Sequence, residues 1–153
     1  MTSAIEIREL PEKKLLVKKT TCSQNAIGPA FGKAIHSVGV CIRANGGTMK
    51  SMPYGVYLDW RVEDCDLAAG CEAEGIANLQ DGCEWLVLPG GAHAFATHFG
   101  AYEELKETHA AIMTWCATNG KKMAGPCFEA YPVDPGTEPD VEKWRTDVYY
   151  PVA

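Results

Sequence analysis

The chain has 153 residues, a net charge of −6, and 46% hydrophobic against 22% charged residues. That length suits one domain, 1–153, able to bury roughly two-thirds of its unfolded surface, and the composition excludes wholesale disorder. The acidic balance, with no basic run, argues against direct binding of nucleic acid or of anionic membranes.

The elements predicted in chain order begin with a short apolar strand near Leu15 to Val17, after Glu9-Leu10-Pro11. A helix follows from about Ile27 to Val38, with Ile27, Phe31, Ile35 and Val38 on one stripe. Pro29 is tolerated only in a first turn, so the helix starts close to it, and Gly39 or Asn45-Gly46 ends it. Pro53 to Tyr57 and Asp66 to Cys71 read as strands, and Glu72 to Glu84 reads as a polar connector. Beyond Val87-Leu88-Pro89 and the Gly90-Gly91 turn comes a strand near Ala94 to His98. The second helix, from about Tyr102 to Cys116, steps through Tyr102, Leu105, His109, Ile112 and Cys116 on one face. Gly120 is its expected left-handed cap. Strands from Cys127 to Val133 and Thr146 to Pro151 close the chain, separated by an acidic loop from Pro135 to Asp140.

This punctuation occurs twice in the same order, in halves of about 5–72 and 84–153. The expected fold class is α+β: two βαββ units related by a pseudo-twofold axis. They would form a curved antiparallel sheet with helices on one face and a ligand groove on the other.

Seven cysteines, at 22, 41, 65, 71, 83, 116 and 127, are odd in number and form no Cys-x-x-Cys pair or zinc-spaced cluster. They read as small apolar residues of a reducing compartment. The segment Met1 to Lys14 is not signal-like, and no apolar run reaches membrane-spanning length. A cytoplasmic protein with no membrane association, no metal and no cofactor is therefore expected.

Strand alternation singles out Glu129. If Phe128 and Ala130 give the helices an apolar face to cover, Glu129 and Tyr131 look into the groove. Val56 stands at the equivalent place in the first half, counting three residues past each proline, so the acid is present in one copy only. The closing strand brings Tyr149 and Tyr150, whereas its counterpart around Ala69 is small at almost every position, which leaves space between them. Trp60 and Trp85, near strand ends, are either groove rims or core, with packing the commoner role of large aromatics. His98 reads as a turn residue bonding backbone, and His109 as part of the helix stripe.

Several of these runs also carry a family resemblance. Leu88-Pro89-Gly90-Gly91, His98-Phe99-Gly100-Ala101-Tyr102, Trp115, Asn119-Gly120, Gly125-Pro126-x-x-Glu129-x-Tyr131 and Thr146-Asp147-Val148-Tyr149-Tyr150-Pro151 resemble the GyrI-like small-molecule-binding family. That family includes effector-binding domains of multidrug-sensing transcription regulators and DNA gyrase inhibitory proteins. The usual Gly-Pro-Tyr is Gly100-Ala101-Tyr102 here. The resemblance implies a tandem strand–helix–strand–strand fold. It also implies a pocket glutamate at Glu129 facing aromatic, cationic ligands, and a cavity-lining aromatic best matched by Tyr149. Some stand-alone members hydrolyse reactive cyclopropane-containing compounds with the pocket acid and aromatic side chains.

Three functions follow as expectations. The first is a binding module for aromatic, often cationic small molecules, with Glu129, Tyr131, Tyr149, Val56, Trp85 and Ala69 as ligand contacts. A desolvated carboxylate among aromatic rings selects charge and flatness rather than a hydrogen-bond pattern. The second is a hydrolase of electrophilic small molecules in which Glu129 and Tyr149 are catalytic. The third is a gyrase-inhibitor-like interaction module with an unknown protein partner, favoured only by the acidic stretch from Asp134 to Glu142. The bland alternative for Glu129 is a structural acid bonded to a neighbouring strand or a tyrosine hydroxyl.

Overall fold

The structure is a computed structural model and describes residues 1–153. Its strands and helices in chain order are β1 (Glu6–Leu10), β2 (Lys13–Ser23), α1 (Ile27–Ala44), β3 (Thr48–Met49), β4 (Tyr54–Trp60), β5 (Asp64–Cys71), β6 (Ala73–Glu74), β7 (Glu84–Leu88), β8 (Gly91–Phe99), α2 (Leu105–Thr118), β9 (Phe128–Val133) and β10 (Arg145–Pro151). The class is α+β, and every described strand pair is antiparallel. No helix is long and apolar enough to cross a membrane.

The chain divides into two compact units, one continuous (Glu12–Pro89) and one split (Met1–Pro11 with Gly90–Ala153). The expected halves therefore exchange their leading strands. β1 pairs with β8, Glu6 opposite Phe95, while β7 pairs with β2, Leu86 opposite Leu15. A repeat in sequence does not say which copy a leading strand joins, because either long strand offers the same free edge.

In the continuous unit the strand order is β4-β5-β2-β7. Leu16, Val38, Cys41, Ile42, Cys71 and Cys83 form the core beneath α1, with Trp85 packed at its margin. Pro29 is the third residue of α1, where its missing N–H costs nothing. The helix runs through Gly39 and stops at Asn45-Gly46, where Gly46 takes a φ of 64° and the Gly47 N–H reaches the Ile42 carbonyl at 2.9 Å. Gly70 is required by close approach, since a Cβ there would lie 1.8 Å from the Leu16 carbonyl oxygen.

The split unit repeats the plan as β1-β8-β10-β9. Ala94 and Ala96 on β8 let α2 lie close to the sheet, and Ile112, Cys116, Val148, Tyr150 and Val152 complete the core. Full burial of a side chain such as Ile112 contributes about 2 kcal/mol. A 3₁₀ turn, Tyr102–Glu104, precedes α2, and Gly120 (φ 68°) ends it with the Lys121 N–H on the Cys116 carbonyl at 2.9 Å. His98 bonds the Ala101 carbonyl at 2.8 Å through Nε2 and Thr108 at 3.0 Å through Nδ1, the turn role expected of it.

Register corrects the expected facing. Val148 lies in the core under α2, and its cross-strand partner is Glu129, while Phe128 is opposite Tyr149. Directly opposed residues share a face. Glu129 therefore points to the helix side, and Phe128 and Ala130 to the helix-free side, the reverse of the expectation. An apolar pair was assumed to attract the helix, but α2 carries a polar residue, His109, that meets the acid. In the continuous unit Val56 is opposite Ala68 and Tyr57 opposite Leu67. Leu67 and Ala69 share parity with the core residue Cys71, so Tyr57 and Gly55 face α1 and Val56 does not. Val56 is thus not the counterpart of Glu129 in facing, because the proline offset slips by one residue and one residue reverses a strand's faces.

Candidate functional site

The split unit gathers its titratable groups around the start of β9. Glu129 is 2% exposed, a position where a carboxylate is costly unless it is paired. It is paired at both oxygens. The Tyr131 hydroxyl donates to Oε1 at 2.5 Å, and His109 Nε2–H donates to Oε2 at 2.6 Å. On its other side His109 Nδ1 lies 2.6 Å from the Tyr150 hydroxyl. Each member has a local reason to be there. His109 falls on the inward stripe of α2 one turn before Ile112. Tyr150 is two residues beyond Val148 on the same face of β10, and Tyr131 is two beyond Glu129 on β9.

Electrostatics fix the protonation of the pair. Burial works to lower the pKa of His109, but the Cys127 thiol and the Glu129 carboxylate outweigh it and push the imidazole up to about 9. At neutral pH His109 is an imidazolium on a carboxylate. Tyr150 is held far above the usual phenol range by burial first and by neighbouring Cys127 and Glu129 next. Tyr102 is pushed up to about 12 by burial and by the charges of Asp134 and Glu129.

Aromatic rings surround this charge. Tyr102 sits edge-on to Tyr131 at 6.2 Å and lies tilted against Trp144 at 5.3 Å. Trp144 is anchored by its Nε1–H on the Glu138 carbonyl at 2.7 Å. The acidic loop therefore positions an indole at the rim, and Asp134 within it accepts from the Gly136 N–H at 2.9 Å. Tyr102 is 36% exposed, so the rim opens to solvent over its ring.

Of the six residues expected at the site, the structure brings Glu129 and Tyr131 together. Tyr149 lies on the opposite face of the same sheet, stacked on Phe128 at 4.9 Å and tilted against Phe95 at 4.9 Å, with the Arg8 guanidinium 3.7 Å above Phe95. Val56 is buried on the helix-free face of the continuous unit. Ala69 and Trp85 are on its α1 side, where the Lys14 ammonium lies 4.5 Å from the Trp85 ring. Their shared face with Val56 is corrected by register.

Two surface grooves are present. One of about 680 Å³ runs between Ile5 and the outer face of α2, lined by Ala110, Ala111, Thr114 and Trp115. One of about 420 Å³ lies between β2 and α1, lined by Lys18, Thr20, Cys22, Pro29 and Lys33. Neither includes any of the six expected residues. No three histidine, cysteine and acidic side chains converge as metal ligands would.

Sequence reasoning missed His109, Tyr102 and Trp144. The signal for His109 was available, since a titratable residue on an otherwise apolar helical stripe needs a buried partner, and Glu129 was the one unpaired acid on a strand.

Comparison with known proteins follows the geometry. Residues 3–153 match the sequence model of the GyrI-like small molecule binding domain. No curated protein matches the chain. Its fold is similar to that of EcmrR in an EcmrR–DNA complex (TM-score 0.82, 20% identity), covering 97% of this chain. The chain spans 57% of that EcmrR chain but 97% of the EcmrR C-terminal domain solved alone (TM-score 0.81, 19% identity, 98% of this chain). The structure of SAV2435 bound to tetraphenylphosphonium is also similar (TM-score 0.69, 16% identity, covering 98% of this chain and 94% of that one). So is a hydrolase from Listeria innocua (TM-score 0.67, 12% identity, covering 97% and 91%).

Proposed function

The chain belongs to the GyrI-like small molecule binding family, and from that premise we propose that it binds flat aromatic ligands, cations among them, at Glu129. The observation that carries the proposal is the buried Glu129–His109 pair at 2.6 Å, ringed by Tyr131, Tyr150, Tyr102 and Trp144. A ligand enters over the half-exposed Tyr102 and Trp144 rings and lays its own aromatic surface against them. Its positive charge takes the place of the His109 charge beside the carboxylate, and the proton leaves. Cation–π contact with the rings adds roughly 0.5–2 kcal/mol. That SAV2435 is solved with tetraphenylphosphonium supports a lipophilic cation as the first probe.

The test is fluorescence titration of the wild-type protein and Glu129→Gln with tetraphenylphosphonium and with an uncharged isostere. Loss of the carboxylate should weaken the cation at least about tenfold and leave the isostere within twofold. Equal losses for both ligands would refute the proposal.

A second reading is favoured by one specific arrangement, an acid, an imidazolium and two phenol hydroxyls in one hydrogen-bonded chain. Glu129 or His109 can exchange a proton with a bound electrophile while Tyr131 or Tyr150 donates to developing negative charge. Product formation from an activated substrate, lost in Glu129→Gln while binding persists, would support hydrolysis. Binding without product would count against it.

A further inference from the structure

The seven thiols are not equivalent. Cys41, Cys65, Cys71, Cys83 and Cys116 are buried. Burial pushes Cys65, Cys71 and Cys83 up to about 11 and raises Cys116, which makes them poor nucleophiles at neutral pH. Cys22 is partly exposed but faces the thiol of Cys65 across β2 and β5, sulfur to sulfur at 4.0 Å, with no imidazole beside it.

Cys127 is partly exposed and lies two residues before Glu129, on the same side of the chain. It packs against the core that holds Tyr150, Ile112 and Cys116. Its thiol lies within hydrogen-bonding reach of both the His109 imidazole and the Tyr150 hydroxyl. His109 is in turn held by Glu129 at 2.6 Å. A thiol, an imidazole and a carboxylate are thus joined in series, with the carboxylate orienting the imidazole.

We infer that Cys127 is a nucleophilic thiol that captures soft electrophiles, specifically aromatic α,β-unsaturated carbonyl compounds, as covalent thioethers. The inference rests on the reading that aromatic small molecules reach the Glu129 site. As His109 passes its Nε2 proton to Glu129 Oε2, the imidazole takes up the Cys127 proton. The Cys127 sulfur then forms a bond to the β-carbon of the acceptor. The carbon–carbon π pair moves to give the enolate, and the proton held by Glu129 and His109 returns to the α-carbon. The thiol hydrogen ends on carbon, no co-reactant is consumed, and the pair is left as it began. Tyr150 donates to the carbonyl oxygen while it carries negative charge.

The experiment treats the unmutated protein with benzylideneacetone, followed by intact-mass measurement and peptide mapping. One adduct per chain is expected, mapped to Cys127 and formed at least about tenfold faster than at any other thiol. Cys127→Ser should abolish it. His109→Gln should slow it about tenfold or more at pH 7 and move the rate profile toward that of an ordinary thiol. An adduct first at Cys22, adducts spread evenly over several thiols, no adduct at all, or an unchanged rate in His109→Gln would each overturn the inference. Tetraphenylphosphonium titrated in parallel separates the two claims. Cation binding that needs Glu129 without Cys127 adduct formation sinks the thiol alone. Selective Cys127 alkylation without such binding sinks the ligand reading and leaves the thiol standing.

Discussion

Affinity for a permanently charged ligand should depend on pH although the ligand itself does not titrate. His109 holds a proton up to about pH 9 because Cys127 and Glu129 outweigh its burial. A cation placed beside Glu129 either shares the site with the imidazolium or displaces its proton. Two unit charges 4 Å apart at an effective dielectric constant of 20 repel by about 4 kcal/mol. Removing the proton at pH 7 costs two pH units, about 2.7 kcal/mol. Displacement is the cheaper course, so binding releases a proton. The dissociation constant of tetraphenylphosphonium should then fall up to about tenfold per pH unit between 7 and 9 and level off above. Tryptophan fluorescence, with Trp144 at the rim, reads the titration. His109→Gln should bind at pH 7 about as tightly as wild type does at pH 9, and an uncharged isostere should show no slope. Equal cation affinity at pH 7 and pH 9, or a parallel rise for the isostere, would refute the reasoning.

The same pair sets a stability profile. The folded-state pKa of His109, about 9, lies above its ordinary 6.5, so the stabilisation is full below pH 6.5 and disappears as pH rises through 9. Urea unfolding at pH 6.5 and pH 10 should show a loss of about 3 kcal/mol from this pair, absent in His109→Gln. Gly70→Ala places a Cβ against the Leu16 backbone and should cost more than about 3 kcal/mol, read as a lowered midpoint or an insoluble protein. Gly32→Ala, on an exposed stretch of α1 with nothing within 4 Å of the new methyl group, should instead stabilise by about 1 kcal/mol in the same assay.

Much of the fold was legible because helices and turns are local. Pro29 in a first turn, Asn45-Gly46 and Gly120 as stops, and the stripe from Leu105 to Cys116 are all where residue chemistry places them. The candidate site was legible in part. Glu129 was found as the acid without a copy, and its Tyr131 neighbour with it. The partner His109 was read as core, since a helical stripe shows that a residue faces inward but not what it meets there.

By itself the sequence determined the order of elements, their caps, the repeated plan and the membership in a small-molecule-binding family, all properties of neighbours along the chain. The tertiary structure decided that β1 joins β8 and β7 joins β2, and that Glu129 rather than Phe128 faces α2. Alternation along a strand separates two sets of side chains without saying which set the helix covers. Only the long-range placement of α2 resolves that, and with it whether the carboxylate meets an imidazole or a ring.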